Sequence, residues 1–330
     1  MKLPSTTYPA PFDVTRASHV VLSVKDLAAS KVFYADVFGL VLTREESGAL
    51  YFRGLEEAGH HSLVLRQASA AVAHRVGLRV YTNDDLYRAK DYFEARGLKA
   101  AWADVPHQGR TLHAEDALGT PLEFCATMDV EPRQVVQFQR YRGGAAQRID
   151  HFQIVAPDLM KAIEFYLGMG FRLSEYAIVP ATEDLIFAFM QRKGNPYDIV
   201  FGAGPGPRLH HAAFSVPDVS SLLHACDTAG ALGFGENIEW GPTRHGPGHA
   251  IFCYFRDPDG HRMELFTTHY QMLDVETQPV RWEYPYPRPW GYPPRRKWFM
   301  EAMHFEGVAL RHPPKPGDPY TLEKFLAETE

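Results

Sequence analysis

One short pattern recurs along the chain and constrains its fold more than any other feature. SHVVLSVKDL (18–27), DHFQIVAPDL (150–159) and HHAAFSVPDV (210–219) each carry a histidine at the head of an apolar strand and an aspartate seven residues after it. A helical pattern follows each segment, and a degenerate fourth copy is HRVGLRVYTNDDL (74–86). Such self-similarity indicates one supersecondary unit written several times. The aspartate is explained as the N-cap of the helix that follows.

The ends of the units repeat as well. DALGTPLEFC (116–125) aligns with DPDGHRMELF (257–266), so that Gly119 matches Gly260 and Glu123 matches Glu264. Each unit therefore reads as a strand, a helix and about three strands, at 16–68, 72–128, 148–204 and 208–268, with a linker at 129–147. The sequence predicts an α+β fold of four repeated βαβββ modules paired into two domains. The predicted domains are 1–135 and 136–268, followed by a tail at 269–330.

The tail contains RWEYPYPRPWGYPPRRKWF (281–299), which is too rich in proline for a helix or a central strand. Disordered segments are poor in aromatic residues, whereas this one is dense in them. We therefore expect the tail to lie across a surface or a cavity mouth, covering the active site.

Composition excludes several classes of function. The formal net charge is −6 and no Lys/Arg-rich run is present, so a nucleic-acid partner is not expected. The spacings of Cys125, Cys226 and Cys253 match neither a zinc motif nor a disulfide framework, which indicates free thiols in a reducing compartment. The chain has no apolar run of 18 residues and no apolar signal sequence at its start. We expect a soluble cytoplasmic protein without a membrane partner.

The repeat register selects three candidate metal ligands. If the modules superpose, His211 takes the position of His151, and strand alternation turns its neighbour His210 to the opposite face. By the same alternation, Glu264 points inward while its neighbours on the strand point away. His151, His211 and Glu264 can then converge in one cavity. Two imidazoles and one carboxylate with open positions are the ligand set of non-haem Fe(II) oxygenases.

Each of these residues alone has a simpler explanation. A single strand histidine is more often a hydrogen-bonded core residue than a ligand, and a single strand glutamate is usually solvated. Three such residues in equivalent register favour the metal. The first half keeps His19 and Glu123, but its second-histidine position falls at or beside Arg75. The N-terminal pair of modules is therefore predicted to be a metal-free scaffold.

Several segments carry a resemblance to a known family. They are FYADVFGL, GLEEAGHHSLVLRQ, RLHHAAF, GPTRHG, DPDGHRMELFT and the Trp-rich tail. With them the chain resembles the type I extradiol catechol dioxygenases of the vicinal oxygen chelate superfamily, which has the glyoxalase/bleomycin resistance fold. Within that group it is most similar to 3,4-dihydroxyphenylacetate (homoprotocatechuate) 2,3-dioxygenases.

The resemblance implies a cofactor, a reaction and an assembly. His151, His211 and Glu264 would hold Fe(II), or Mn(II) as in some members. O₂ would be the co-substrate and a small aromatic diol the substrate, cleaved to a hydroxymuconic semialdehyde-type product. A homotetramer is the expected assembly. Two other functions are possible on this fold: a metal-dependent isomerase or lyase of the glyoxalase kind, and a protein that binds an aromatic ligand.

The resemblance also implies residues around the metal. His245 and Tyr254 match the residues that hydrogen-bond the bound catecholate, and Phe189 and Gln153 match residues that line the pocket, although an Asn is usual in place of Gln153. The family's acid/base histidine is replaced by Tyr197. A phenol with a pKa of about 10 donates a hydrogen bond well but accepts a proton poorly.

The substrate end departs from the homoprotocatechuate pattern. Trp240 stands where an arginine would hold the carboxylate of the substrate, and Arg288 of the tail is the other candidate cation. We expect a less polar ring substituent, or none. The alternative for Trp240 is that it packs under the tail.

Overall fold

Each of the four modules folds as a strand, a helix and three further strands in the computed structural model, which describes residues 3–285 and 289–313. Module 1 contains β1 (Val14–Val24), α1 (Leu27–Val32, continued by a π-helical turn at Phe33–Val37), β2 (Val41–Glu46), β3 (Ala49–Arg53) and β4 (Leu63–Gln67). Module 2 contains β5 (Val72–Val80), α2 (Asn83–Glu94), β6 (Ala100–Ala103), β7 (Thr111–Glu115) and β8 (Pro121–Cys125). The predicted α+β fold is confirmed here and in the second half.

The second half repeats this order. Module 3 contains β9 (Arg148–Ala156), α3 (Leu159–Gly168), β10 (Arg172–Val179), β11 (Asp184–Gln191) and β12 (Ile199–Ala203). Module 4 contains β13 (Arg208–Ser215), α4 (Val219–Ala231), β14 (Ile238–Arg244), β15 (Ile251–Arg256) and β16 (Arg262–Phe266). Short 3-10 turns lie at Phe138–Arg140 and Gly235–Asn237.

The helices of the four modules, α1 to α4, begin at side-chain caps. Asp26, Asp158 and Asp218 accept hydrogen bonds from backbone N–H groups of the first helical turn. These groups have no partner inside the helix, so the cap replaces their lost contact with water. The degenerate copy uses Thr82 instead, which forms a capping box with Asp85. Among the described residues, none of the helices has both the length and the apolarity needed to cross a bilayer.

The strands of each half form one sheet. In every module the first strand pairs in parallel with the last, and the first strands of paired modules pair antiparallel with each other. The first sheet has the order β2-β3-β4-β1-β5-β8-β7-β6. The second has the order β14-β15-β16-β13-β9-β12-β11-β10, and strands of the tail extend it. Side chains from the central strands of the second sheet therefore meet on one face.

The two halves share a hydrophobic core and are joined by two equivalent hydrogen bonds. One cluster of buried side chains draws on all four modules. Tyr34, in the first helical segment, donates its O–H to Asp257 at 2.9 Å. Tyr166, at the same position of α3, donates to Asp116 at 3.1 Å. Each half thus places a tyrosine on the turn that precedes the last strand of the other half. The boundary at residue 135 stays a prediction.

The tail returns along the second sheet. β17 (Val280–Glu283) pairs in parallel with the edge strand β10, and β18 (Met303–His304) pairs with β13. An edge position suits a proline-rich segment because the missing N–H groups can face away from the sheet. The expectation that 281–299 contains no helix is wrong at its end, where α5 (Arg296–Met300) begins. Its prolines all precede the first turn, where they do not interrupt helical hydrogen bonds.

Candidate metal centre and its cavity

Three buried side chains meet on the face of the second sheet. His151 on β9, His211 on β13 and Glu264 on β16 are 3%, 1% and 2% exposed. Glu264 Oε2 lies 3.2 Å from His151 Nε2 and 3.1 Å from His211 Nε2, and the two Nε2 atoms are 3.5 Å apart. Strand register explains the meeting, since Ala213 pairs with His151 on one side and with Glu264 on the other.

The spacing of these atoms fits a metal ion. Ligand atoms at about 2.0–2.2 Å from a first-row metal are separated from one another by roughly 3.0–3.5 Å. Glu264 Oε2 is also a buried acceptor that no donor among the described residues satisfies by hydrogen-bond geometry. A buried acceptor without a donor is unfavourable unless something else binds it. The donor set and the cavity beside it suit a divalent metal with open positions.

The protonation states of Glu264 and His211 also suit a cation. Burial raises the pKa of Glu264, but the neighbouring rings of His151 and His211 outweigh burial and hold that pKa well below its usual value. Burial lowers the pKa of His211 to about 4, although Glu264 opposes the shift. At neutral pH Glu264 is therefore anionic and His211 is neutral. Metal binding requires these forms.

Asp150 orients the first histidine. Burial lowers the pKa of His151, but its hydrogen bond with Asp150 and the nearby Glu264 carboxylate outweigh burial, and the net shift is upward. His151 Nδ1 lies 3.0 Å from Asp150 Oδ2, which leaves Nε2 directed at the cluster. Lys193 Nζ donates to the Asp150 carbonyl at 2.5 Å and lies 3.8 Å from its carboxylate. A carboxylate behind a histidine fixes its tautomer and raises its basicity as a ligand. The signal for Asp150 was an acidic residue within an apolar strand.

His210 does not point to the opposite face, and that prediction is wrong. A register shift between Leu209 and His211 in the pairing with β9 breaks the alternation of side chains. His210 Nδ1 lies 2.8 Å from His211 Nδ1, and His210 Nε2 lies 2.8 Å from the carbonyl oxygen of Trp298. Burial lowers the pKa of His210 well below its usual value. The neutral His210 ring can accept a hydrogen bond from His211 Nδ1–H at Nδ1 and donate one from Nε2–H to the Trp298 carbonyl.

His245 and Tyr254 flank the other side of Glu264. His245 Nε2 lies 3.2 Å from the Tyr254 hydroxyl and 3.5 Å from Glu264 Oε1. The His245 ring stacks on Phe252 with 3.5 Å between ring centroids. Burial lowers the pKa of His245, with Glu264 opposing the shift. A neutral imidazole is therefore held beside a phenol at the edge of the cavity.

Tyr197 packs against His151 and against a histidine that the sequence reasoning missed. Its ring centroid lies 4.7 Å from that of His151 and 4.6 Å from that of His269. Burial raises the pKa of Tyr197 well above its usual value, so its phenol remains a donor. Within the described chain neither ring nitrogen of His269 makes a hydrogen bond, and burial lowers its pKa to about 3. His269 follows the last repeated segment, so the register contained no signal for it.

The cavity beside the cluster is lined by both polar and apolar side chains. Gln153 and Phe189 line it, as expected from the sequence. Trp240 also lines it, and its indole N–H is already used in a hydrogen bond to the carbonyl of Tyr292 at 2.9 Å. The tail contributes Tyr284, Pro285, Pro294, Trp298 and Phe299 to the wall. Arg288 lies outside the described residues.

The equivalent position in the first half is built differently. Gly77 pairs with His19 and with Glu123, as Ala213 does with His151 and Glu264, so Arg75 takes the position of His211. His19 Nε2 lies 2.7 Å from Glu123 Oε1, and Gln108 Nε2 donates to the same oxygen at 2.7 Å. In the first half Glu123 Oε1 therefore makes hydrogen bonds at 2.7 Å, whereas the candidate ligand atoms of the second half lie 3.1–3.5 Å apart.

Comparison with known proteins identifies relatives over most of the chain. A family profile described as the Glyoxalase/Bleomycin resistance protein/Dioxygenase superfamily matches residues 16–124 and 148–265. The manganese-dependent 2,3-dihydroxybiphenyl 1,2-dioxygenase of Geobacillus genomosp. 3 is 25% identical over 300 residues, covering 82% of this chain and 90% of that protein. A metapyrocatechase of Geobacillus stearothermophilus is 26% identical over 289 residues, covering 82% and 86%.

Solved structures agree with these sequence matches. Homoprotocatechuate 2,3-dioxygenase of Brevibacterium fuscum, in its anaerobic complex with 3,4-dihydroxyphenylacetate, is 34% identical with a TM-score of 0.86, covering 92% of this chain and 96% of that chain. A room-temperature structure of an extradiol ring-cleaving dioxygenase from B. fuscum has a TM-score of 0.89 at 32% identity, covering 95% and 90%.

Proposed function

The chain belongs to the Glyoxalase/Bleomycin resistance protein/Dioxygenase superfamily, and from this we propose how its buried cluster works. The protein is an extradiol ring-cleaving dioxygenase that acts on a catechol-type diol with O₂, as its relatives do. The observation that carries the proposal is the meeting of His151, His211 and Glu264 at ligand spacing beside a cavity. The product would be a hydroxymuconic semialdehyde-type compound.

His151, His211 and Glu264 would hold Fe(II) or Mn(II), the two ions that suit this ligand set in the family. When bound, the ion supplies a Lewis acid and adjacent open positions at which a diol and dioxygen can react. Asp150 keeps His151 Nε2 directed at the ion through Nδ1. His210 does the same for His211.

The remaining residues handle the proton and the ring. The neutral Nε2 of His245 can take a proton from a catechol hydroxyl, and the Tyr254 hydroxyl, 3.2 Å from it, can donate to the resulting oxygen anion. Tyr197 can donate a hydrogen bond in the cavity but does not act as a base, because burial raises its pKa and keeps its phenol protonated. Gln153 and Phe189 confine the ring. Trp298 and Phe299 of the tail line the cavity with apolar surface that excludes water.

The apolar side chains of the cavity wall favour an apolar ring substituent. Trp240, Phe187, Val200, Trp298 and Phe299 are among the residues that line the cavity, and no Lys or Arg of the described chain lines it. A carboxylate placed here would lose hydration without a compensating cation among the described residues, which is strongly unfavourable. We therefore propose catechol and alkyl- or aryl-substituted catechols as substrates in preference to carboxylate-bearing ones.

A catechol panel tests the reaction and the substrate class together. The metal-free protein is loaded anaerobically with Fe(II) or Mn(II), and O₂ uptake and the absorption band of the ring-opened product are recorded for each catechol. We expect turnover of apolar catechols, and a shift toward carboxylate-bearing catechols in Trp240→Arg. A preference of the unchanged protein for carboxylates would contradict the substrate class.

A second arm addresses the other functions possible on this fold. Turnover of a substrate without O₂ uptake, supported by Ni(II) or Zn(II), would favour an isomerase or lyase. Binding of catechols by a metal-free, oxygen-inert protein would favour a ligand-binding role. His211→Ala should lose both metal and turnover if the protein is the dioxygenase proposed.

We also propose a cytoplasmic homotetramer. Light scattering at assay concentration measures the assembly, and a monomer under those conditions would contradict it.

A further inference from the structure

Glu175 is a buried carboxylate that the metal cluster does not use. It lies on β10 with an exposure of 0%, and among the described residues it forms no ion pair. Three neutral donors satisfy it instead. Oε1 accepts from the backbone N–H of Gly248 at 2.9 Å and from the Tyr270 hydroxyl at 2.5 Å, and Oε2 accepts from the indole N–H of Trp282 at 2.6 Å.

These donors come from separate segments around the cavity. Gly248 lies in the loop 245–250, which is closed by a hydrogen bond from His245 N to the Ala250 carbonyl at 2.9 Å. The same loop supplies His245 and Pro247 to the cavity wall. Trp282 lies on the tail strand β17, which continues into the wall residues Tyr284 and Pro285. One carboxylate therefore contacts both the histidine loop and the covering tail.

The loop has little freedom beside this contact. Gly248 has a φ of +68°, and a Cβ added there would lie 2.5 Å from the Tyr197 hydroxyl oxygen. The apex of the loop is thus confined between Tyr197 and Glu175. A shift of the apex would carry His245 with it, because the loop is only six residues long.

The bonding of Glu175 makes the two segments depend on each other. A buried carboxylate left without one of its donors is strongly unfavourable. If the tail strand lifts away, Glu175 Oε2 loses its hydrogen bond from the Trp282 indole. The buried carboxylate then has fewer donors, which destabilises the conformation in which it accepts from Gly248 N–H. The burial of Glu175 already raises its pKa despite all three donors.

We propose that Glu175 is a positioning residue that couples closure of the tail over the cavity to the placement of His245. It acts through Gly248 and Trp282 and does not touch the substrate. The kinetic consequence rests on the proposed function, because it assumes that His245 takes part in catechol turnover. The structural coupling between the loop and the tail does not rest on the proposed function.

The chain allows a matched test with Glu175→Gln and Trp282→Phe. In Glu175→Gln, the amide oxygen can still accept from Gly248 and Tyr270, but the amide N–H₂ then faces the indole N–H of Trp282, so that donor meets donor. Trp282→Phe removes that opposing donor. In the double variant, the amide oxygen keeps the loop and the amide nitrogen faces an apolar ring.

We expect Glu175→Gln to increase hydrogen exchange in both 245–250 and 280–284, and to lower kcat/KM by about tenfold, the usual scale for one hydrogen bond to a buried charge. Part of the loss should fall on kcat, because His245 is displaced as well as the tail. Metal content should stay at the level of the unchanged protein. The double variant should recover most of both properties relative to Glu175→Gln.

Three results would overturn the coupling. They are faster exchange in the tail without any change in the loop, a double variant no better than Glu175→Gln, and a loss confined to KM. If Glu175→Gln does not fold, Trp282→Phe alone should increase exchange in 245–250, and unchanged exchange there would also refute the proposal. If no protein in the set turns over catechols, the proposed function fails, while the exchange data still decide the coupling.

Discussion

Replacing His210 by alanine tests how the second metal ligand is held. His210 Nδ1 lies 2.8 Å from His211 Nδ1, and its Nε2 lies 2.8 Å from the Trp298 carbonyl. His211→Ala, in contrast, removes the ligand itself. We expect His210→Ala to weaken metal binding clearly, but less than His211→Ala does.

The losses of metal affinity in His210→Ala and in His211→Ala can be worked out separately. Deleting a partner that orients a metal-bound histidine lowers metal affinity by about 10–100-fold, or roughly 1.4–2.7 kcal/mol. This range matches the cost of about 1–3 kcal/mol for leaving a buried N–H such as His211 Nδ1–H without an acceptor. A four-ligand structural zinc site binds with about 10–16 kcal/mol, so one ligand is worth roughly 2.5–4 kcal/mol, or about 70- to 900-fold in affinity.

The assay is anaerobic competition with a chromogenic chelator, with metal content measured after desalting. His210→Asn is the matched control, because an Asn oxygen can reach the position of the lost Nδ1 acceptor and restore most of the affinity. Thermal unfolding of the metal-free variants checks that each folds. Equal metal loss in His210→Ala and His211→Ala, without recovery in His210→Asn, would refute the reasoning.

Three further predictions concern the first half. Burial raises the pKa of Glu123, but hydrogen bonds from His113 and His19 outweigh it and hold that pKa well below its usual value. The lowered pKa of Glu123 stabilises the folded protein fully above pH of about 4.3, the carboxyl pKa in the unfolded chain. This stabilisation is lost as the pH falls through the lower pKa that Glu123 has in the folded protein. Glu123→Gln should flatten this acid limb in a circular dichroism titration; an unchanged limb would contradict the assignment. The double variant Arg75→His/Gln108→Ala should gain a second metal per chain by elemental analysis, because the register then matches the second half, and unchanged stoichiometry would exclude this. Gly77→Ala places a Cβ 2.2 Å from the His19 ring and should lower the free energy of unfolding by about 1–3 kcal/mol, measured by urea titration. An unchanged midpoint would contradict this, because it would show that the strands β1 and β5 move apart without cost.

The features that follow from local rules could be predicted from the sequence. The Asp caps, the strand–helix order and the inward direction of Glu264 depend on residues near each other in the chain, and the repeat supplied four readings of them. The convergence of the ligands followed because equivalent strands pair in equivalent register. The placement of Arg75 at the position equivalent to His211 followed for the same reason.

The features that depend on residues far away in the chain, or on a break in the regular pairing of strands, could not be predicted from the sequence. The shift at His210 reverses the face of a side chain, and nothing in RLHHAAF marks it. Glu175 and His269 acquire their surroundings from segments that are far away in the chain. Asp150 was visible as an acid in an apolar strand, but its role required knowledge of Lys193.

The reciprocal bonds from Tyr34 to Asp257 and from Tyr166 to Asp116 have an evolutionary consequence. When two identical subunits meet about a twofold axis, residue i of one touches residue j of the other, and the same contact occurs a second time. The chain preserves that pairing within a single polypeptide, so we infer that its ancestor was a symmetric dimer whose genes later fused. With both copies in one polypeptide, the first half can carry Arg75 where the second carries His211, because the second half alone supplies the ligand set proposed for the reaction.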